Sequence, residues 1–256
     1  MSKPSNTLQF SVRIYDPGKQ FRPHCDRKPR LSFLVNGAFA EETSRGTITA
    51  LPGDLLVKGN RIKHENRFGA DGALLASIEV TDDTLEGTIL SESWRLKRNA
   101  ETFSESITLL EAALSGCQSS LTASVLVILA SLHDEEHDAG PAPRWIAHLK
   151  DDLEEASLAQ IDISKRAKEA GAHPVYASSL FRRHYGMSIT DHTRHHSVRR
   201  AAGLLARDAS QPLKDIALQA GFYDQSHMNR SFKRVTGRTP GVYRTLSVQL
   251  RETLTI

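Results

Sequence analysis

Gln225, Ser226, Asn229, Arg230 and Lys233 are residue types whose side chains can pair with base edges or phosphates. The amides of Gln225 and Asn229 match the donor and acceptor pair on an adenine edge, Arg230 can take both acceptors of a guanine, and Ser226 and Lys233 serve bases or phosphates. They share one face of a helix, because Met228, Phe232 and Val235 recur on the other side at helical spacing. A second stripe precedes them: Val175, Ser178, Ser179 and Arg182 lie opposite Ala177, Phe181 and His184. Val175 offers only apolar contact, for instance to a thymine methyl, and the two serines are tolerant donors.

The elements that must position these stripes are written twice. Ala170-Gly171, Phe181-Arg182-Arg183 and Gly186 return as Ala220-Gly221, Phe232-Lys233-Arg234 and Gly237, so the glycines of the turn are offset by 50 residues and the phenylalanines by 51. Each copy reads as a short helix, a glycine turn and a second helix, the helix-turn-helix pattern whose second helix fits a major groove. Ile216 and Ala217 lie on an apolar face that stops at Gly221, and Asp224 is a good N-cap for the next helix. The first copy has His173-Pro174 there, and proline suits a first helical turn. Ser188-Ile189-Thr190-Asp191 has capping-box spacing and opens a joining helix with Val198, Ala201, Ala202, Leu204 and Leu205 inward, and Arg199 and Arg200 expected in solvent. Thr239-Pro240 opens a last helix through Tyr243 and Arg244.

At these residues the chain resembles the AraC family of bacterial transcription regulators over roughly residues 141 to 246. The densest stretch runs from Asp215-Ile216-Ala217 through Ala220-Gly221-Phe222, Asp224-Gln225-Ser226-His227 and Phe232-Lys233-Arg234 to Tyr243-Arg244. The resemblance implies base-edge or nearby contacts from Val175, Ser178 and Ser179 in the first head, and from Gln225, Ser226, Asn229 and Arg230 in the second. Arg166 departs from it, standing where Ile216 stands in the second copy. Charge agrees: residues 141 to 256 carry a net +7 and the remainder −4, a basic end suited to phosphate.

Residues 8 to about 93 read as strands. Leu31, Phe33 and Val35 alternate with Ser32, Leu34 and Asn36 ahead of an expected turn at Gly37, and Ser44-Arg45-Gly46 and Leu51-Pro52-Gly53-Asp54 supply further turns. The segment is similar to a cupin barrel, a usual companion domain in the AraC family. Gly18, His24, Asp26, Arg30 and Gly37 fall at the spacing of the first cupin motif, and Gly53 and His64 fit the second. Metal-binding cupins present three histidines and a glutamate. Here Asp26 replaces a histidine and Arg30 the glutamate, and a guanidinium supplies no lone pair to a cation. The resemblance therefore implies a pocket for a polar or anionic effector at His24, Arg30 and His64, with no metal and no cofactor. Polar groups at a barrel mouth, or a metal held by His24, Asp26 and His64, are the alternatives.

Residues 94 to 140 read as a helical connector. Phe103, Ile107, Leu110 and Leu114 mark one helix and Leu121 to Leu132 another, both able to pack on the barrel or to carry dimer contacts, and His133 to Pro141 reads as a solvated hinge. The apolar run is too short to span a membrane. The N-terminus lacks a signal peptide's apolar segment, and Cys25 and Cys117 make no disulfide framework, so a reducing cytoplasm is expected. Cys25 sits beside His24 and is the better candidate for a perturbed thiol, against a default of burial. No phosphate-binding glycine loop, nucleophile elbow or Cys-x-x-Cys pair occurs.

The expected fold class is α+β, a cupin-like barrel over 8–93, the connector over 94–140, and an all-α double helix-turn-helix domain over 141–246. The expected function is transcription regulation on double-stranded DNA by a ligand-responsive homodimer, with RNA polymerase as a candidate further partner, and without catalysis. The competing expectation is a metal-dependent cupin enzyme fused to a DNA-binding tail.

Overall fold

The computed structural model describes residues 8–80, 93–131, 142–155 and 162–255. Strands β1 (Leu8–Tyr15), β2 (Gln20–Cys25), β3 (Arg30–Thr43), β4 (Gly46–Ala50), β5 (Leu55–Lys58), β6 (Lys63–Val80) and β7 (Trp94–Lys97) form one antiparallel sheet of order β1-β6-β3-β5-β7, with β2 added on β6 and β4 on β3. β7 pairs with β5 from Leu55 opposite Lys97 to Lys58 opposite Trp94, so the sheet claims the first residues of the expected connector. The hinge expected over 133–141 lies outside the described residues.

β3 and β6 are the long strands on which the sheet curls. Their pairing shifts register between Leu34 and Asn36 and again between Gly37 and Phe39. Gly37 thus marks a bulge inside β3 and not the expected turn. It has φ +84°, and a Cβ there would collide with the carbonyl oxygen of Gly72, itself at φ +66°. Two facing glycines let the backbones close up where the strands bend.

The curl gives the sheet two buried faces. Leu34, Phe39, Leu56, Phe68 and Leu75 fill the inside of this barrel, whereas Leu31, Phe33 and Val35 point outward into a larger core under helices. Both sides of β3 are covered, which explains its continuous buried run over 31–35.

Helix α1 (Ala100–Leu114) is capped by Asn99, whose side chain accepts from the Thr102 N–H at 2.7 Å. It and α2 (Gln118–Ser131) cover the outer face. The remaining helices are α3 (Arg144–Glu155), α4 (Ile163–Glu169), α5 (Pro174–Tyr185), α6 (Ile189–Arg207), α7 (Leu213–Gln219), α8 (Gln225–Thr236) and α9 (Pro240–Glu252). They do not form one unit. α3, α5 and the start of α6 enclose a small core of Ile146, Leu149, Leu153, Phe181 and Ile189. Ile216, Met228, Phe232, Tyr243 and Leu246 instead join the core on the outer face of the barrel. Phe103 bridges the two regions, its ring 5.7 Å from that of Phe33 and 6.0 Å from that of Tyr243.

Candidate nucleic-acid interface and barrel pocket

The two helix-turn-helix units are built by the same local bonds. At the first turn the Ala172 N–H reaches the Ala167 carbonyl at 2.8 Å across Gly171, and at the second the Phe222 N–H reaches the Ala217 carbonyl at 2.9 Å across Gly221. Both glycines have positive φ, +70° and +90°, the left-handed residue that closes this type of helix end. The copies then diverge by the one residue seen in the sequence: His173 caps α5 two residues after its glycine, and Asp224 caps α8 three residues after its own. Asp224 accepts from the His227 N–H at 2.6 Å.

These caps set the phase of each recognition helix. Met228, Phe232 and Val235 are buried, while Gln225, Ser226, Arg230 and Lys233 are exposed. Asn229 is half-buried, and its Oδ1 has no hydrogen-bond partner. In α5, Ala177 and Phe181 are buried and His184 partly so, with Val175, Ser178, Ser179 and Arg182 exposed. The Ser178 hydroxyl donates to the Pro174 carbonyl at 3.0 Å, so it meets a ligand as an acceptor more readily than as the expected donor. Two aromatic side chains missed in the sequence flank the stripes: Tyr176 is 58 % exposed and Tyr223 71 %. Their signal was there, since each is a large apolar body out of phase with the core positions. Arg166 is exposed and paired with Asp152 at 3.2 Å, so it costs the small core nothing.

The joining helix α6 corrects another expectation. Arg200 is exposed, with its guanidinium 2.9 Å from the Gln219 carbonyl, but Arg199 is buried against the barrel. Its guanidinium pairs with Asp54, a wholly buried carboxylate that also takes Arg98 at 2.6 Å and the Leu51 N–H at 2.9 Å. One turn on, Gly203 faces Pro52 so closely that a Cβ would lie 3.1 Å from the ring. A cleft of about 580 Å³ opens beside this contact, between Asn36, Pro52 and Asp71 of the barrel and Arg200, Gly203 and Arg207 of α6.

His195 and His196, also on α6, are both pushed down to about 4, chiefly by burial, with Arg199 adding to the effect on the first and Glu154 partly opposing it on the second. They are neutral in the fold and protonate near 6.5 once unfolded. The unfolded chain therefore binds more protons between those values, and stability rises with pH across the window. The melting temperature should fall as pH drops from about 6.5 toward 4, and His195→Asn with His196→Asn should flatten that slope. Glu154 is separable. Burial works against its ionisation, but His192 and Lys150 outweigh this and hold it at about 2, so its contribution is lost only below the ordinary carboxylate range. A flat melting curve across the histidine window would remove these two residues from the account.

Inside the barrel, a cavity of about 320 Å³ brings His24, Arg30 and His64 together. Arg30 is already engaged, 2.8 Å from Asp26 and 3.3 Å from Glu79. Sequence reading missed Glu41 and Lys58, which are buried beside them. Glu41 is fully buried and accepts from Lys58 at 2.6 Å, Asn66 at 2.8 Å and Trp94 at 2.7 Å. Lys58 Nζ is also 2.7 Å from His64 Nε2 and 3.1 Å from Asp26. Burial would raise the Asp26 carboxyl, but the charges of Lys58 and Arg30 prevail and hold it below its ordinary value. Burial and the Lys58 charge push His64 down, so its imidazole is neutral. His24, Asp26 and His64 offer ligand atoms within 4.8 Å of one another, yet an ammonium sits among them and the set as it stands does not fit a metal ion. Both cysteines are exposed, against the expected burial, and the Cys117 thiol is lowered to about 7 by the hydroxyls of Ser119 and Ser120.

Parts of the chain are similar to known proteins. Residues 166–245 match a family model described as a helix-turn-helix domain. The HTH-type transcriptional regulator GlxA of Rhizobium meliloti is 33% identical over 92 residues, 36% of this chain and 28% of the relative. The uncharacterized HTH-type transcriptional regulator YtdP of Bacillus subtilis is 29% identical over 85 residues, 33% of this chain and 11% of the relative. The match thus spans under a third of either relative's length. Among solved structures, ToxT from Vibrio cholerae aligns over 94% of this chain and 99% of its own at 13% identity, with a TM-score of 0.39. No helix among the described residues is long and apolar enough to cross a membrane. With its paired turns, capped recognition helices and outward polar stripes, this part of the chain is built as the helix-turn-helix domain that the family model describes.

Proposed function

We propose that the chain is a sequence-specific DNA-binding transcription regulator whose barrel takes up a small molecule and whose two recognition helices enter successive major grooves. The observation that carries this reading is the phase of α5 and α8: each buries its apolar side in a packed core and leaves its base-reading side open. GlxA and YtdP are themselves called transcriptional regulators, which supports it. Tyr176 and Tyr223 extend the surface beside the stripes, placed to pack against sugars and donate to phosphates.

The second head carries most of the hydrogen-bonded discrimination. Gln225→Ala, Asn229→Ala and Arg230→Ala should each relax preference at one or two base pairs, costing about 1–3 kcal/mol on the selected site where the contact is a good bidentate one. Affinity for random DNA should change much less. Selection of bound fragments by the purified protein, followed by gel shifts of the variants, measures both quantities. Equal losses on selected and random DNA would reassign that residue to the phosphate backbone.

Sensing reaches the heads through α6, because the barrel grips that helix at Arg199 and Gly203. A ligand shifts DNA affinity only through its differential affinity for two arrangements of this contact. In the barrel pocket His24, His64 and Arg30 are the effector-facing groups. With Arg30 held by two carboxylates, an uncharged polar molecule fits better than an anion. The reading extends to a homodimer formed through α2, whose outer side leaves Leu126 and Val127 exposed, to RNA polymerase as the onward partner, and to the cytoplasm. It assigns the barrel no catalysis.

A further inference from the structure

Four donor groups converge inside the barrel. The Nδ1 of His24 lies 2.8 Å from the Arg22 carbonyl and the Nδ1 of His64 2.9 Å from the Ile62 carbonyl. A carbonyl only accepts, so both histidines carry their proton on Nδ1 and present Nε2 as an acceptor, the arrangement that orients histidine toward a metal. Their rings are 4.4 Å apart. Asp26 and the fully buried Glu41 supply carboxylates, and Asp26 Oδ2 is buried without an aligned hydrogen bond. Two imidazoles and two carboxylates suit a divalent transition ion.

A cation is already there. Lys58 Nζ stands 2.6 Å from Glu41 Oε2, 2.7 Å from His64 Nε2 and 3.1 Å from Asp26 Oδ2, and the lysine is 5% exposed. Its stem comes from β5 on the barrel wall, so its charge is delivered covalently and cannot be lost by dilution or chelation. We propose that the Lys58 ammonium is a resident cation in the place a metal would take, that it excludes divalent ions from the barrel, and that shortening Lys58 converts the pocket into a divalent-metal site held by His24, Asp26, Glu41 and His64. Zinc bonds to nitrogen and oxygen are about 2.0–2.2 Å. Asp26, Glu41 and His64 must therefore close in by up to about 1 Å on the vacated position, a shift within side-chain reach, with His24 completing the set from beside His64. The sequence departs from the metal-binding pattern twice over: Arg30 removes a ligand, and Lys58 fills the space.

The test uses tag-free full-length protein, so that no added histidines compete. Wild type and Lys58→Ala are each incubated with Zn²⁺ or Co²⁺, dialysed, and measured for metal per chain, melting temperature and, with Co²⁺, visible absorption. Wild type should retain no stoichiometric metal, and its melting temperature should not move. Lys58→Ala should retain one metal per chain, melt higher with the ion than with a chelator, and show cobalt bands of low-coordinate nitrogen and oxygen ligation. His64→Ala added to Lys58→Ala should abolish uptake. Because Lys58→Ala strands two buried carboxylates, Lys58→Ala with Glu41→Gln serves as a second variant with one less negative charge. Stoichiometric metal in wild type overturns the proposal. So does a folded Lys58 variant that takes up no metal, or failure of both variants to fold even when metal is supplied.

Discussion

Asp54→Ala should destabilise the protein by about 3–5 kcal/mol, the usual cost of breaking a buried ion pair by removing one partner. Asp54 is wholly buried and faces two arginines, Arg98 from the strand's end and Arg199 from α6. Truncation leaves Arg199, itself buried, as an uncompensated charge at the junction of barrel and DNA-binding helices. Asp54→Asn should recover only part of the loss, because it keeps an acceptor for the Leu51 N–H but not the countercharge. Arg199→Met combined with Asp54→Asn should recover more, since it removes the stranded cation and refills its space. Urea denaturation of the four proteins measures this series. A loss below about 1 kcal/mol in Asp54→Ala would mean that the pair behaves as a solvated one.

The second large effect separates the two heads. Phe181 and Phe232 occupy matching positions in the repeat and both are fully buried, so truncation of either to alanine should cost about 3–5 kcal/mol locally. The consequences should differ, because Phe181 belongs to the small core of α3, α5 and α6, whereas Phe232 belongs to the core shared with the barrel. The chain's two tryptophans report on the two regions, Trp145 packing on the small core and Trp94 inside the barrel. Phe181→Ala should move the Trp145 transition to lower urea and leave that of Trp94 in place, as expected for local unfolding. Phe232→Ala should move the Trp94 transition. If Phe181→Ala shifts both probes together, the heads and barrel unfold as one body and the division of cores carries no energetic meaning.

Local signals are legible in the sequence and long-range ones are not. The caps at Asp224, Ser188 and Thr239, the turn glycines and the phase of both recognition helices depend on residues within a few positions of one another, which is why the candidate DNA-binding stripes can be named from sequence. Gly37 is misread because a glycine between apolar runs signals either a turn or a bulge, and only its closeness to Gly72 on β6 decides between them. Arg199 reads as solvent-facing because an arginine beside another on a helix is usually wet. Its partner Asp54 lies 145 residues away in the chain. Lys58 escapes notice for the same reason: its importance comes from Glu41 on another strand and Asp26 just past the end of β2, and a lone lysine at the end of a strand carries no motif. Trp94 reads as connector because four residues give too short a period to tell a strand from a helical approach.

The division of cores also bears on how such a protein can be altered over time. The first head meets the rest of the chain through the opening of α6, so a lineage could exchange it for another with few compensating changes. The second is cut from the same packing as the barrel: Tyr243 donates from its hydroxyl to the Val35 carbonyl at 3.3 Å, and Phe103 lies between them. Recombination at that boundary would have to carry α1 and the outer face of β3 along. On the proposed function, half of the DNA address is therefore portable, and the other half is inherited with the barrel.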